Sequence, residues 1–204
     1  MSSSIQSIAF ILDISKSMDE HYNYIGKKIE ISKQLFSRLS EALFRSIKEP
    51  YRLHLYVFPS PIPDAIPCEK VYQLTIVDSY TLTIFNRALN SISRTRPTTP
   101  LVESLIYVAK DIEDHGLIIT ITDGIYIGTS SERISELMNV IEEKDIYIVI
   151  LCLNLNPENL IKLISNRIAI EVLYSSQLHS LLLSNTIEYI IYTKILPKIR
   201  RSIT

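Results

Sequence analysis

The feature that most limits the fold of this chain is the run Ile8-Ala9-Phe10-Ile11-Leu12, apolar at odd and even positions alike. A strand on the outside of a sheet alternates apolar and polar residues, whereas a run apolar on both faces belongs to a strand covered on both sides. The run stops at Asp13, and Ser15 and Ser17 follow at two-residue spacing in Asp13-Ile14-Ser15-Lys16-Ser17. Alternate residues of an extended chain share a side. The spacing therefore predicts three short, oxygen-bearing side chains facing one way at the carboxyl end of a central strand, a disposition suited to a cation.

The rest of the chain alternates helical and extended patterns. Residues 27–48 carry Ile31, Leu35, Leu39, Leu43 and Ile47 at every fourth position, an amphipathic helix that Pro50 closes. Residues 53–58 read as a strand, 59–67 as a proline-rich loop, 71–77 as another strand, and 80–92 as a helix burying Leu82, Phe85, Leu89 and Ile92. The segment from Arg94 to Leu101 leads into a helix over 101–113, with Thr99 expected at its cap and Pro100 in its first turn. A buried strand over 117–122 stops at Asp123-Gly124, and residues 129–132 look like a capping box. The helix that follows would bury Ile134, Leu137, Met138 and Ile141. Strands over 146–153 and 168–173, a short helix from Asn156-Pro157, and a terminal helix over 177–196 stopped by Pro197 complete the pattern. Strands alternating with helices predict a doubly wound, Rossmann-like α/β fold whose mostly parallel sheet has helices on both faces. Ligands of such sheets bind beyond the carboxyl ends of the strands, near the point where strand order reverses, and Asp13 and Asp123 are both expected at such ends.

With 204 residues, 47% hydrophobic and 21% charged, the chain fits a single domain over 1–204, with 196–204 as a basic tail. A net charge of −1 argues against nucleic acid as the main partner. Cys68 and Cys152 make no disulfide framework, and Cys152, inside an apolar run, reads as a small buried hydrophobe. The first residues lack the pattern of a signal peptide and no stretch is apolar enough to span a bilayer, so a cytoplasmic location is expected. Abundant isoleucine, lysine and glutamate without tryptophan hint at a thermophilic source.

The D-x-S-x-S run of Asp13, Ser15 and Ser17 resembles the first loop of the von Willebrand factor A (vWA) domain family. In that family a metal-ion-dependent adhesion site draws on two further loops: a threonine just before a helix, and an aspartate at a strand end. Thr99 of Thr99-Pro100-Leu101 and Asp123 of Thr122-Asp123-Gly124 match them in the same order. The resemblance covers essentially the whole chain. It implies a six-stranded sheet with one antiparallel edge strand at 71–77, and Asp13, Ser15, Ser17, Thr99 and Asp123 as metal ligands. It also implies a partner protein that offers an Asp or Glu carboxylate to the ion, an AAA+ ATPase of the MoxR type being one such partner, and metal-linked sliding of the last helix. One departure is that Arg96-Pro97-Thr98 stand where the family often has glycines.

The donor set is consistent with that reading. Hydroxyls and carboxylates without histidine or thiol suit Mg²⁺ first, with Mn²⁺ or Ca²⁺ as alternatives. Arg94 and Arg96 would either flank the site or be plain loop arginines, and Asp19 and Glu20 would either hold a second cation or be solvated. The rival is a Mg²⁺-dependent phosphohydrolase with Asp13 as nucleophile, but that chemistry needs a second aspartate two residues on, and position 15 is serine. No glycine-rich phosphate loop exists in a chain with four glycines. A metal-independent scaffold of the same fold is the third reading.

Overall fold

The computed structural model describes residues 6–60, 66–93, 96–98, 100–123, 130–153, 165–173, 188–189, 191–195 and 197. The strands are β1 (Gln6–Asp13), β2 (Tyr51–Phe58), β3 (Glu69–Ile76), β4 (Leu117–Thr122), β5 (Tyr147–Leu153) and β6 (Ile168–Leu173). The helices are α1 (Lys28–Ser46), α2 (Ser79–Ser91), α3 (Leu101–Asp111) and α4 (Ser131–Glu143). A 3-10 turn covers Lys16–Asp19 and a π-helical turn Ile191–Ile195. The six strands form one sheet in the order β3-β2-β1-β4-β5-β6, all parallel to their neighbours except β3, which runs antiparallel to β2 at the edge.

Two cores explain why β1 is apolar throughout. Ile8, Phe10 and Leu12 enter a cluster with residues of α1 and α2, while Ala9 and Ile11 enter a second cluster with α3 and α4. Phe10 anchors the first: its ring stacks on Phe36 of α1 at 4.6 Å and meets Phe85 of α2 edge-on at 5.9 Å. Both cysteines lie in the second core, and burial pushes each thiol up to about 12, with the charge of Asp111 adding to the effect at Cys68.

Several expected boundaries shift. Strand β2 begins at Tyr51 rather than 53 because parallel pairing with β1 runs back to Gln6. Strand β3 begins at Glu69 rather than 71, its first residues pairing with Tyr56 and Val57 beyond an irregularity at Leu55/Tyr56. Helix α3 has Pro100 at its N-cap instead of in its first turn, and the Pro100 carbonyl accepts from the Ser104 amide (3.0 Å) and hydroxyl (2.7 Å). The cap of α4 is Ser130, whose hydroxyl accepts from the Arg133 amide, so the cap falls one residue later than expected and the third helical position is an arginine, which has no acceptor to complete a box. The helix expected at Asn156-Pro157 and most of the one at 177–196 lie outside the described residues.

Candidate metal centre

In the order β3-β2-β1-β4-β5-β6 the chain leaves β1 on one side, through β2 and β3, and returns to pair β4 on the other. The strand order therefore reverses between β1 and β4, the place where open α/β sheets bind ligands. Asp13 is the last residue of β1, and Asp123 directly follows β4. The two carboxylates stand on either side of the reversal.

Asp13 is fully buried. Its Oδ1 accepts from the Ser15 amide at 2.8 Å, and its Oδ2 accepts from the Thr122 hydroxyl. Burial pushes its carboxyl up to about 7, while the hydrogen bonds from Ser15 and Thr122 oppose that rise and the negative charge of Asp123 adds to it. The serines come together by a turn and not by strand alternation: Ser15 is the N-cap of the 3-10 turn, which brings Ser17 Oγ to 3.1 Å from Ser15 Oγ. Ser17 Oγ donates to Asp123 Oδ1 at 2.7 Å. With that proton committed, the Ser15–Ser17 contact is satisfied when Ser15 donates, and what the serines offer outward is oxygen lone pairs, the half of a hydroxyl that a cation uses.

The other oxygen of Asp123 is held by a residue that the sequence pattern does not mark. Lys28 Nζ lies 2.5 Å from Asp123 Oδ2 and 3.1 Å from Glu20 Oε2, and the Lys28 side chain is 14% exposed. Desolvation lowers its pKa, but the hydrogen bonds and charges of Asp123 and Glu20 outweigh that and hold the ammonium above the ordinary lysine range. Thr122 was legible in principle as a hydroxyl beside the strand-terminal aspartate. Lys28 was not, since only the docking of α1 brings it to β4.

The structure therefore joins Asp13, Ser15, Ser17 and Asp123 through short contacts at the reversal point. Thr99 lies outside the described residues, as does Arg94. Arg96 is a strut: its amide donates to the Ile14 carbonyl at 2.7 Å, its guanidinium donates to the Pro59 carbonyl at 2.9 Å, and Glu69 stands 3.7 Å away. Arg96 thus stands beside Ser15, with which its backbone forms a bridge, while its guanidinium is engaged by Pro59 and Glu69. Asp19 pairs with Lys27 at 2.8 Å and Glu20 with Lys28 at 3.1 Å, so each is matched by a cation of this chain. Among the described residues no group of three or more His, Cys, Asp or Glu could hold a metal ion. Any metal here must rest on hydroxyls as much as on carboxylates, and the all-oxygen set fits a hard divalent cation.

These features define a doubly wound α/β domain with an oxygen-lined cluster at its strand reversal. No protein-family model and no curated protein sequence matches the chain. Solved structures do. A von Willebrand factor type A protein from Catenulispora acidiphila is similar over 98% of this chain and 42% of its own, with a TM-score of 0.65 at 12% identity. The pilus adhesin SpaC from Lactobacillus rhamnosus GG is similar over 94% of this chain and 31% of its own, with a TM-score of 0.65 at 13% identity. Proximal thread matrix protein 1 from the mussel byssus, a structure with a zinc-occupied MIDAS motif, is similar over 91% of this chain and 46% of its own, with a TM-score of 0.57 at 13% identity. The chain thus has the vWA fold and spans less than half the length of each of these proteins.

Proposed function

We propose that this chain is a metal-dependent protein-interaction module. A divalent cation, Mg²⁺ first and Mn²⁺ or Ca²⁺ next, is held by Asp13, Ser15, Ser17, Thr99 and Asp123, and an Asp or Glu side chain of a partner protein completes its coordination. The observation that carries this reading is the state of Asp13. A fully buried carboxylate ends β1 with an amide and a hydroxyl as donors, while the ammonium nearby is given to Asp123 and Glu20. A buried charge without a counter-charge is costly, and a cation beside Ser15 and Ser17 removes that cost. The zinc-occupied site of the mussel thread protein, which has the same fold, supports a divalent ion in this region without fixing its identity. When bound, the ion supplies a positive centre that a partner's carboxylate can ligate.

The domain's own residues set the rest. Asp13 and Asp123 fix the two ends of the cluster, and the serines offer neutral oxygens that leave the ion's charge largely uncancelled. The phosphohydrolase reading lacks its acid/base, because the residue two positions after Asp13 is Ser15 and not a second aspartate. The partner stays a class: a protein presenting an acidic side chain, with a MoxR-type AAA+ ATPase among those the resemblance implies.

The test is calorimetric titration of the metal-stripped protein with Mg²⁺ and Mn²⁺, beside Asp123→Ala. Saturable binding that the variant loses is the expected result, and partner capture from lysate should then vanish in EDTA. Absence of binding by the wild-type chain, joined to capture indifferent to EDTA, would leave the metal-independent scaffold.

A further inference from the structure

Lys28 is the first residue of α1, where the helix dipole disfavours a positive charge. Its ammonium nonetheless sits largely out of solvent against Asp123. The contact is built: the Lys28 amide donates to the Glu20 carbonyl at 3.1 Å, tying the start of α1 to the residue whose carboxylate also takes the ammonium. The two carboxylates facing Lys28 differ in kind. Asp123 is nearly buried, its side chain 4% exposed, whereas the Glu20 side chain is 68% exposed.

We propose that Lys28 is an internal cation that competes with the divalent ion for Asp123 and moves onto Glu20 when the ion binds. The inference rests on the metal-centre reading above and adds how that centre is regulated. An ion that used Asp123 would share that carboxylate with the ammonium 2.5 Å from it, and like charges drawn to one largely buried carboxylate repel strongly. Glu20 offers the ammonium a second seat nearer solvent. The competition weakens retention of the ion by the free domain. A partner's carboxylate, which adds negative charge to the cluster, restores it, so ion and partner are bound together more firmly than either alone.

The experiment measures Mg²⁺ and Mn²⁺ affinity by calorimetry, and the ion-induced rise in melting temperature, for wild type, Lys28→Met, Lys28→Arg, Glu20→Gln and Glu20→Gln/Lys28→Met. Removal of the ammonium should tighten ion binding by at least roughly tenfold and enlarge the ion-induced shift in melting temperature. Lys28→Arg, which keeps the charge, should stay near wild type. Glu20→Gln should weaken the ion where Lys28 is present and have little effect in the Lys28→Met background. Equal affinity in wild type and Lys28→Met would overturn the competition while leaving the metal centre intact. Absence of ion binding in every protein would overturn both. If Lys28→Met does not fold, the contrast between wild type, Lys28→Arg and Glu20→Gln decides: an unchanged affinity in Glu20→Gln rejects the hand-over.

Discussion

Asp13 and His54 are buried titratable groups whose surroundings oppose the charged form, a carboxyl pushed up in one case and an imidazole pushed down in the other. For Asp13, the uncompensated carboxylate predicts a conflict between stability and binding. Asp13→Asn keeps an acceptor for the Ser15 amide and removes the charge, so the metal-free variant should melt higher than metal-free wild type and bind no ion. A lower melting temperature would mean that the charge is already balanced. His54 is 2% exposed on β2, its Nε2 lying 2.8 Å from Ser7 Oγ and 3.5 Å from Glu113. Burial, with the charges of Lys70 and Arg52, pushes the imidazole down to about 4 against the pull of Asp111. Unfolding returns it to about 6.5. Between those values the unfolded chain holds the extra proton, so stability rises with pH and is lost on acidification from about 6.5 towards 4. Chemical denaturation of His54→Gln across that window should show a shallower dependence than wild type. At this scale the sequence was most informative about Asp13, Ser15, Ser17 and Asp123, whose spacing and strand-end positions carry the pattern. It could not reveal Lys28 or the bracing by Arg96, because both depend on which loops the folded sheet brings together.

Elements were legible where one period dominates and blurred at their ends, where single hydrogen bonds decide. Helix α2 shows the point. Its inward residues were readable, but its start is set by Asp78, whose side chain accepts from the Thr81 amide at 2.8 Å while the Thr81 hydroxyl accepts from the Asp78 amide at 3.2 Å. That reciprocal pair is written in the sequence as Asp-x-x-Thr, a spacing that marks a helix start without any apolar period. Asp78→Ala should cost about 1 kcal/mol of stability, read as a lower urea midpoint with an unchanged slope. The 3-10 turn at Lys16–Asp19 was invisible to pattern for a different reason: a turn of this length buries only Met18 and has no periodicity to find. It is nevertheless the element that brings Ser17 to Asp123.

For the whole molecule, alternating segments gave the fold class, since apolar strands between amphipathic helices leave few arrangements that bury both faces. The direction of β3 came only from resemblance. A strand with half-exposed residues, such as Val71 at the sheet edge, carries no sign of which way it runs. The first core depends on Phe10 more than on any peripheral contact, because its ring joins β1 to both α1 and α2. Phe10→Ala should destabilise the protein by about 3–5 kcal/mol, a loss that equilibrium unfolding would register. The second core has a quieter consequence. Its thiols, Cys68 just before β3 and Cys152 within β5, neither meet solvent nor ionise near neutrality while the sheet is closed. A thiol reagent can therefore mark them only in molecules that have opened. With Cys152→Ala the rate of marking times the loosening of the β3 side of the sheet, and with Cys68→Ala it times the opening of the β5–β6 side. The chain carries two clocks for its own unfolding, one toward each side of its sheet.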